Sequence, residues 1–477
     1  MQKNGSKNLS EKTEGSDILR TKGVDIMTGD PKTAIRKLSL PMFIAMVLFS
    51  VYNLVDAIWV AGLGNDALAA VGFITPLFMI LIGFGNGLGA GATSAIARKI
   101  GAKDKAGADS SAVHSLILCL IVSVLITGPL VLLAEPLALL LGAGDIAPMA
   151  AEYGVYIFAG TIFVLFTNIS YAVLRAEGDM KRAMYAMMLS SVLNMILDPI
   201  FIYTLGMGVA GAAIATVVSV AAVSLVIAYW FFIKKDTYVS ISFKDFRFEK
   251  NILKDILGVG IPASAEFFLM AILSMILNII LVIVSGTDAV AVYTTGWRVV
   301  MFGIMSNVAI ATSSVTVGGA AFGSRNYENL KVVHRYSVFL GIVMAAVTSI
   351  IVYVFAPFIA AVFTYSEAAA HLAPSIVAFL KVMCLFFLFV PPGIMSVSVF
   401  QAVGKGSVSF VLNLLRNLVF IALISYILAI VLGFGEEGVW WGIVLGDILG
   451  GIVGYAFADV YIRALIRNKK RADEISV

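Results

Sequence analysis

Two aspartates inside apolar stretches are the residues of this sequence best suited to binding or titrating a cation. Asp56 and Asp198 each lie about six residues before the end of an apolar run, and Thr216 lies about eight residues after the start of the next run. At about 1.5 Å of rise per helical residue, all three lie at a similar depth, roughly 10 Å inside one membrane boundary. Charges at membrane depth are costly and usually mark pathways. We therefore predict a cation site at this depth.

Polar side chains one helical turn away extend this predicted site. Asn194 precedes Asp198 by four residues, so the two share a helix face. The set offers carboxylate, amide and hydroxyl oxygens, which suit Na⁺, or one proton shared by two carboxyl groups that cannot both ionise cheaply. The structural alternative is that these residues only link helices, as Asn and Thr often do in membranes. The supporting polar residues are Tyr52, Asn53 and Asn168.

Five further charged residues lie in apolar runs of the second half of the chain: Glu266, Arg298, Lys381, Arg416 and Asp447. Opposite signs at matched depth predict neutralising pairs, Glu266 with Arg416 and Asp447 with Lys381. A part in ion coupling is the alternative. The first half is thus expected to bind or titrate a cation, and the second half to be braced by ion pairs.

Membrane-spanning helices must position these residues, because the chain is too apolar for a soluble protein. Of its 477 residues, 60% are apolar and 13% are charged, whereas soluble domains have about 25% charged residues. This excludes a soluble enzyme, a disordered scaffold and a nucleic-acid-binding protein. From about residue 38 the apolar runs are long enough to cross as helices and lack the alternation of barrel strands. The twelve predicted spans are 38–61, 67–97, 112–134, 151–174, 183–204, 208–233, 256–284, 289–320, 336–363, 373–402, 408–432 and 438–465.

Positive charge in every second connection predicts the orientation. The N-terminal segment, five connections and the C-terminal segment hold 30 of the 33 Lys and Arg residues, and the intervening connections hold none. The positive-inside rule then places both termini in the cytoplasm, with the chain in the cell (inner) membrane. The predicted organisation is a tail 1–37, a first lobe 38–233, a linker 234–255, a second lobe 256–465 and a tail 466–477.

Short matches relate the two halves in order along the chain. Residues 64–71 resemble 286–293, and 101–104 resemble 323–326, both at an offset of 222. Three further matches keep the order. Because six spans is an even number, the two halves have the same orientation, as in transporters built from parallel repeats. The predicted fold is an all-α membrane protein with twelve transmembrane helices in two pseudo-symmetric six-helix lobes.

With these features the chain resembles the MATE (multidrug and toxic compound extrusion) transporters of the DinF-like branch, over about residues 30–465. The resemblance rests on Leu40-Pro41 and on the stretches 52–64, 194–201 and 208–216. It implies a central cleft that opens alternately to each side. It also implies export of organic, often cationic, compounds against influx of Na⁺ or H⁺, with no cofactor besides the coupling ion.

The resemblance also assigns roles to individual residues. It gives the coupling cation to Asp56, Asn194, Asp198 and Thr216, with the two aspartates as ligands in a sodium-coupled protein. Pro41 would be a bend in the first span that responds to the cation. Glu266 matches a glutamate that some members use, but Pro391-Pro392 stands where those members carry its acidic partner. This departure favours the site in the first lobe.

Other function classes fit these residues less well. Three scattered His residues and the lack of a phosphate-binding glycine motif argue against an enzyme or an ATP-driven pump. The alternative function is a lipid-linked precursor flippase of the same superfamily, whose cleft would use cations such as Arg298, Lys381 and Arg416. An ion channel or membrane scaffold would not need the asymmetric acid pair. We expect small organic substrates, a lipid bilayer, no nucleic acid and a monomer.

Overall fold

The computed structural model describes residues 21–244, 246–365 and 370–475, which are helical with no β-strand in those ranges. The helices are α1 (Lys22–Thr28), α2 (Pro31–Ala61), α3 (Asn65–Gly101), α4 (Lys105–Leu132), α5 (Ala134–Leu140), α6 (Ala147–Ala159), α7 (Thr161–Ala176), α8 (Met180–Pro199), α9 (Gly208–Ala228), α10 (Lys250–Gly323), α11 (Tyr327–Phe363), α12 (Ala373–Ala402), α13 (Gly406–Leu414) and α14 (Gly435–Ile475). Wider π-helical turns extend α8 to Thr204 and α9 to Lys234. They also extend α13 to Val431, in two π-helical segments separated by one α-helical turn.

Twelve membrane spans are present in the described part of the chain, as predicted. Ten helices are long and apolar enough to cross a membrane, and α6 and α7 form one further span bent by 47°. One of the ten, α10, has 74 residues and is interrupted at Gly286, which has a φ of 77°. Its two arms, 250–285 and 287–323, are each about 55 Å long and count as separate spans. Gly64, the predicted repeat partner of Gly286, also has a positive φ, 108°.

Two helices extend beyond the spans that the apolar pattern predicts. α2 begins at Pro31, before residue 38, because the Asp30 carboxylate caps it by accepting a hydrogen bond from the Thr33 backbone N–H at 2.9 Å. α14 continues to Ile475, past residue 465. Hydropathy identifies only the part of a helix that lies within the membrane. A helix can continue beyond the membrane with charged residues and unbroken backbone hydrogen bonds, and hydropathy does not detect this extension.

The two halves of the chain meet where the predicted basic connections lie; we call this side of the molecule the basic end. There the C-terminal ends of α3 and α10 cross closely. A Cβ atom on Gly101 would overlap the backbone of Ala320, and one on Gly323 would overlap the backbone of Arg98. Gly101 and Gly323 are the residues that the repeat pairs at an offset of 222. The equivalent ends of α3 and α10, one from each lobe, are therefore in contact with each other.

The buried apolar residues show how the lobes are arranged. One cluster near the basic end combines residues of both halves, including Ile96 and Ala97 with Val317 and Ala320. Nearer the opposite end, separate clusters belong to the first half and to the second half. The lobes therefore share a core at the basic end and separate toward the opposite end. This leaves a cleft open to that side.

Candidate functional site

α8 and α9 bring three of the predicted site residues together. The Asn194 side-chain amide donates to the Thr216 hydroxyl at 3.1 Å, and that hydroxyl donates to the Ala212 carbonyl at 3.1 Å. Asn194 and Asp198 are buried, with 2% and 0% of their surface exposed. The contact follows from the short connection between α8 and α9, which makes the helices antiparallel neighbours and sets residues equally far from it at one depth.

The fourth predicted residue, Asp56, reaches the same place from α2. Its carboxyl group faces that of Asp198, and the Tyr52 hydroxyl, one turn earlier, faces Thr216. Tyr153 of α6 is close enough to both aspartates to feel their charge. Sequence reasoning missed Tyr153, because a tyrosine near the end of a span is typical of the aromatic belt at the membrane interface.

Several oxygen atoms of this site have no donor within the described part of the chain. Both carboxylate oxygens of Asp198 and the Asn194 Oδ1 are buried without a hydrogen-bond partner there. A buried ionised carboxylate without a partner is strongly unfavourable in an apolar environment. The arrangement therefore suits a group that supplies positive charge to oxygen ligands, either a proton shared between Asp56 and Asp198 or a small cation such as Na⁺.

The end of α8 is irregular beside these oxygens. Pro199 has no backbone N–H, so it cannot donate to the carbonyl four residues earlier. The chain continues as a π-helical segment, Ile200–Thr204, in which the Leu205 N–H donates to the Ile200 carbonyl at 2.8 Å. Such wide turns are frequent at functional sites. They widen α8 directly after Asp198.

The remaining residues predicted for the first lobe lie apart from this cluster or bond within their own helices. Asn53 is exposed, and its amide donates to the Phe49 carbonyl at 2.7 Å. The Asn168 amide donates to the Val164 carbonyl at 2.9 Å. Pro41 is buried inside α2, fifteen residues before Asp56. None of these three residues donates a hydrogen bond to Asp56 or Asp198.

In the second lobe, Glu266 lies among neutral donors. Its Oε1 accepts from the Ser409 hydroxyl at 2.6 Å, and its Oε2 accepts from the Gln401 amide at 3.4 Å. Glu266 therefore differs from Asp198 in having hydrogen-bond donors already in place.

The predicted pairing of the second-lobe charges is wrong. Arg416 pairs with Asp447 rather than Glu266, its Nε lying 2.6 Å from Oδ1, with side-chain exposures of 11% and 1%. The helices decide this: a Cβ on Gly450 of α14 would lie 2.6 Å from the Arg416 Cγ, so α14 packs directly on Arg416, one turn from Asp447. Lys381 instead places Nζ 5.4 Å from the ring centroid of Tyr353.

Arg298, the last of the predicted charges, is exposed on the second arm of α10. Within the described residues it makes no ion pair with a carboxylate within 4.0 Å. It thus belongs neither to the cation cluster of the first lobe nor to the ion pair of the second.

Comparison with known proteins agrees with this architecture. The family model described as MatE matches residues 41–200 and 262–427, which correspond to most of each lobe. The chain belongs to the MatE family. As a MatE protein it is a multi-pass membrane transporter and not an enzyme. The two matched segments fall on the two halves related by the internal repeat.

Relatives and solved structures support this membership over nearly the whole chain. The multidrug export protein MepA of Staphylococcus aureus strain MRSA252 is 28% identical over 446 residues, covering 92% of this MatE chain and 95% of MepA. A solved structure of a multidrug resistance MATE family transporter of the MOP superfamily, in its outward-facing conformation, is 44% identical, with a TM-score of 0.91 and coverage of 94% and 99%.

A third comparison, at the same similarity, is with a protein for which a different function is suggested. It is a MOP superfamily transporter from Pyrococcus furiosus, for which a reverse polarity of the binding pocket is said to suggest a different function. It is 44% identical, with a TM-score of 0.91, and covers 93% of this chain and 99% of its own. Overall similarity therefore establishes the family and fold of this MatE protein, while its substrate must be argued from its own residues.

Proposed function

We propose that this protein exports organic, cationic or amphipathic compounds by antiport against Na⁺ or H⁺, which binds at Asp56, Asn194, Asp198 and Thr216. The observation that carries the proposal is the buried Asp198 carboxyl, which has no donor in the described part of the chain and faces a second carboxyl. The Asn–Asp spacing of this cluster also favours the DinF-like branch. Two relatives, described as a multidrug export protein and as a multidrug resistance transporter, support the substrate class.

The proposed cycle starts with the cleft open to the end opposite the basic end. A cation reaches Asp56 and Asp198 from that side and neutralises them, after which α2, with Pro41 in its interior, repacks against α8. Ion and substrate must differ in affinity between the two states of the transporter, or neither drives the other. In this proposal the basic end, and with it both termini, faces the cytoplasm, where the Lys and Arg of the connections belong.

The first arm of α10 supports an organic substrate. One of its faces lines a space of about 590 Å³, with Met275, Ile279 and Val282 as apolar contacts and Ser274 and Asn278 as polar ones. Small-molecule sites are mostly apolar with a few polar groups, and this open face has the same composition. This face suits an amphipathic compound of drug-like size that is oriented by one or two hydrogen bonds.

The test is export by the purified protein in proteoliposomes under an imposed Na⁺ gradient or an imposed pH gradient, with a fluorescent organic cation as substrate. We expect one of the two gradients to drive transport, and Na⁺ binding in the absence of substrate to identify sodium coupling. Gradient-driven transport that persists unchanged in Asp198→Asn would contradict the proposed coupling site.

The second candidate function is a flippase for a lipid-linked, phosphate-bearing precursor. It gains support because Lys381 lacks the acidic partner that sequence reasoning gave it, and because Arg298 is exposed. The different function suggested for the Pyrococcus furiosus transporter, which has a similar fold, agrees with this alternative. Translocation of a fluorescent phospholipid-diphosphate analogue in the same liposomes, with no export of the organic cation under either gradient, would favour this function.

A further inference from the structure

A groove rich in basic side chains lies between α11 and α14 at the basic end of the second lobe. Its volume is about 410 Å³. Two glutamates line it beside five basic residues, so the lining has a net positive charge. The basic residues are Lys331, Arg463, Arg467, Lys470 and Arg471.

The spacing of these residues explains the groove. Arg463, Arg467 and Lys470 follow one another at four and three residues and so share one face of α14. Lys331 faces them from the first turns of α11. Ile466 lies between them as the apolar part of the lining. The groove is therefore walled by two helices of the same lobe.

Most of this positive charge has no ion-pair partner among the described residues. The Asp459 carboxylate forms ion pairs with two guanidinium groups. Its oxygens lie 2.5 Å from the Arg463 Nε and 2.9 Å from the Arg335 Nη2. For the other four basic residues of the groove, no carboxylate of the described residues lies within 4.0 Å. A compact group of cations without carboxylate partners in the described part of the chain favours an anionic ligand.

The groove begins where the lipid-facing surface ends. On α14, Phe457 and Val460 are 51% and 65% exposed, as expected of side chains in contact with lipid chains. Arg463 follows Val460 by less than one turn. On α11, Phe339 is 61% exposed and lies about 12 Å along the helix from Lys331. The basic residues therefore lie at the depth of the lipid headgroups.

We infer that this groove binds the phosphate headgroup of an anionic phospholipid. Guanidinium groups offer paired N–H donors that match phosphate oxygens, and Lys331 and Lys470 add point charges from the two walls. Ile466 contacts the apolar part of the lipid below the headgroup. Binding holds the ends of α11 and α14 together and so stabilises the second lobe. This site is independent of the transport cycle proposed for the first lobe.

The experiment is native mass spectrometry of the full chain in detergent, titrated with phosphatidylglycerol or with phosphatidylcholine of the same acyl chains. We expect selective retention of phosphatidylglycerol. The double variant Arg467→Gln/Lys470→Gln should weaken this binding roughly tenfold or more, since each basic residue near an anionic membrane surface contributes a several-fold factor. Lys331→Gln, on the other wall, should weaken it in the same direction.

The matched control is Lys250→Gln/Lys254→Gln, which removes the same charge from two exposed lysines at the start of α10. Equal weakening by the control and groove variants would mean general surface attraction and would overturn the inference. Equal retention of the two lipids would also overturn it. Displacement of phosphatidylglycerol by millimolar glycerol 3-phosphate would assign the groove to free phosphate compounds. Melting temperatures within 2 °C of the parent, the tolerance we set, would show that the variants are folded.

Discussion

The two lobes share one fold but treat their buried carboxyl groups in opposite ways. In the first lobe, Asp198 is fully buried without a donor in the described part of the chain and faces Asp56. In the second lobe, Asp447 is paired with Arg416, and Glu266 accepts hydrogen bonds from neutral side chains. A buried carboxyl with neither a counter-charge nor a donor is available to an ion from outside, whereas one that already has either of these is part of the structure.

This difference supports the division of tasks that we propose between the two halves of the duplicated fold. At the repeat offset of 226, the positions of Asn194 and Asp198 correspond to Phe420 and Ile424, so the second lobe has no polar counterpart of this pair. In the proposed cycle, duplication supplies a second bundle that remains rigid while the first changes with its ion. The comparison can be tested by changing each lobe separately.

The largest contrast is expected in transport. Asp198→Asn should reduce gradient-driven export to the level of empty liposomes, because the neutral amide cannot exchange a cation. Glu266→Gln should retain most of the export, since the amide keeps a polar group among Ser409 and Gln401. Initial rates at equal protein density measure both. Loss of export in Glu266→Gln with normal export in Asp198→Asn would reverse the assignment of the lobes.

The next contrast is between the effects of Asp447→Asn and Asp198→Asn on stability, which should differ in sign. Asp447→Asn leaves the Arg416 guanidinium buried without its counter-charge and should lower the free energy of unfolding by about 3–5 kcal/mol. Asp198→Asn removes a buried charge that lacks a donor and should leave stability unchanged or raise it. Melting in detergent without Na⁺ at high pH compares the two.

A paired replacement serves as the control for this contrast. Arg416→Met combined with Asp447→Leu removes both charges and should be nearly neutral, because apolar residues of similar volume can replace a buried ion pair. If the double variant is as unstable as Asp447→Asn, the loss comes from packing rather than from an unpaired charge.

A smaller contrast concerns pH and lies outside the membrane, in the connection between α7 and α8. Glu177 is 1% exposed and accepts a hydrogen bond from the Val239 N–H at 3.0 Å, and burial raises its pKa to about 8. Because this pKa lies above the ordinary value of 4.5, the folded protein retains a proton that the unfolded chain loses between these values. Stability should therefore fall as pH rises from about 4.5 to 8.

Glu177→Gln isolates this effect because an amide oxygen can still accept from Val239. The variant should match the parent at pH 5 and exceed it by on the order of a few kcal/mol at pH 8. The repeat partner of Glu177 is Val403, which is apolar and buried, so the second lobe has no counterpart of this carboxyl group at the equivalent position. Parallel melting curves for parent and variant across this pH range would rule out Glu177 as the source.

The sequence was sufficient to predict the parts of the structure in which helix geometry and short connections determine the distances. The spacing of four residues from Asn194 to Asp198, and the short connection before Thr216, set their shared depth and their contact across two antiparallel helices. Runs of apolar residues and alternating basic connections were likewise sufficient for twelve spans and for the internal repeat. In each case the distances follow from helix rise and from the chain's path across a membrane.

The sequence was insufficient where the rotation and packing of helices decide the contacts. Arg416 meets Asp447 because α14 packs against α13 through glycines such as Gly450, and depth alone did not reveal which charges face each other. Tyr153 comes near the aspartates only because α6 packs against α9 and α3. Apolar periodicity also gave no sign of the π-helical turns after Pro199, which depend on the missing proline N–H.

The smallest contrast is between two basic residues of the second lobe. Lys381 is exposed and interacts with the ring of Tyr353, a contact worth about 0.5–1 kcal/mol, whereas Arg416 is buried in an ion pair. Lys381→Gln should therefore lower the free energy of unfolding by less than about 1 kcal/mol and leave export of the organic cation unchanged. Tyr353→Leu should have a similar effect, and the double variant no more than either single change. Loss of organic-cation export in Lys381→Gln at normal stability would instead place Lys381 in the substrate path.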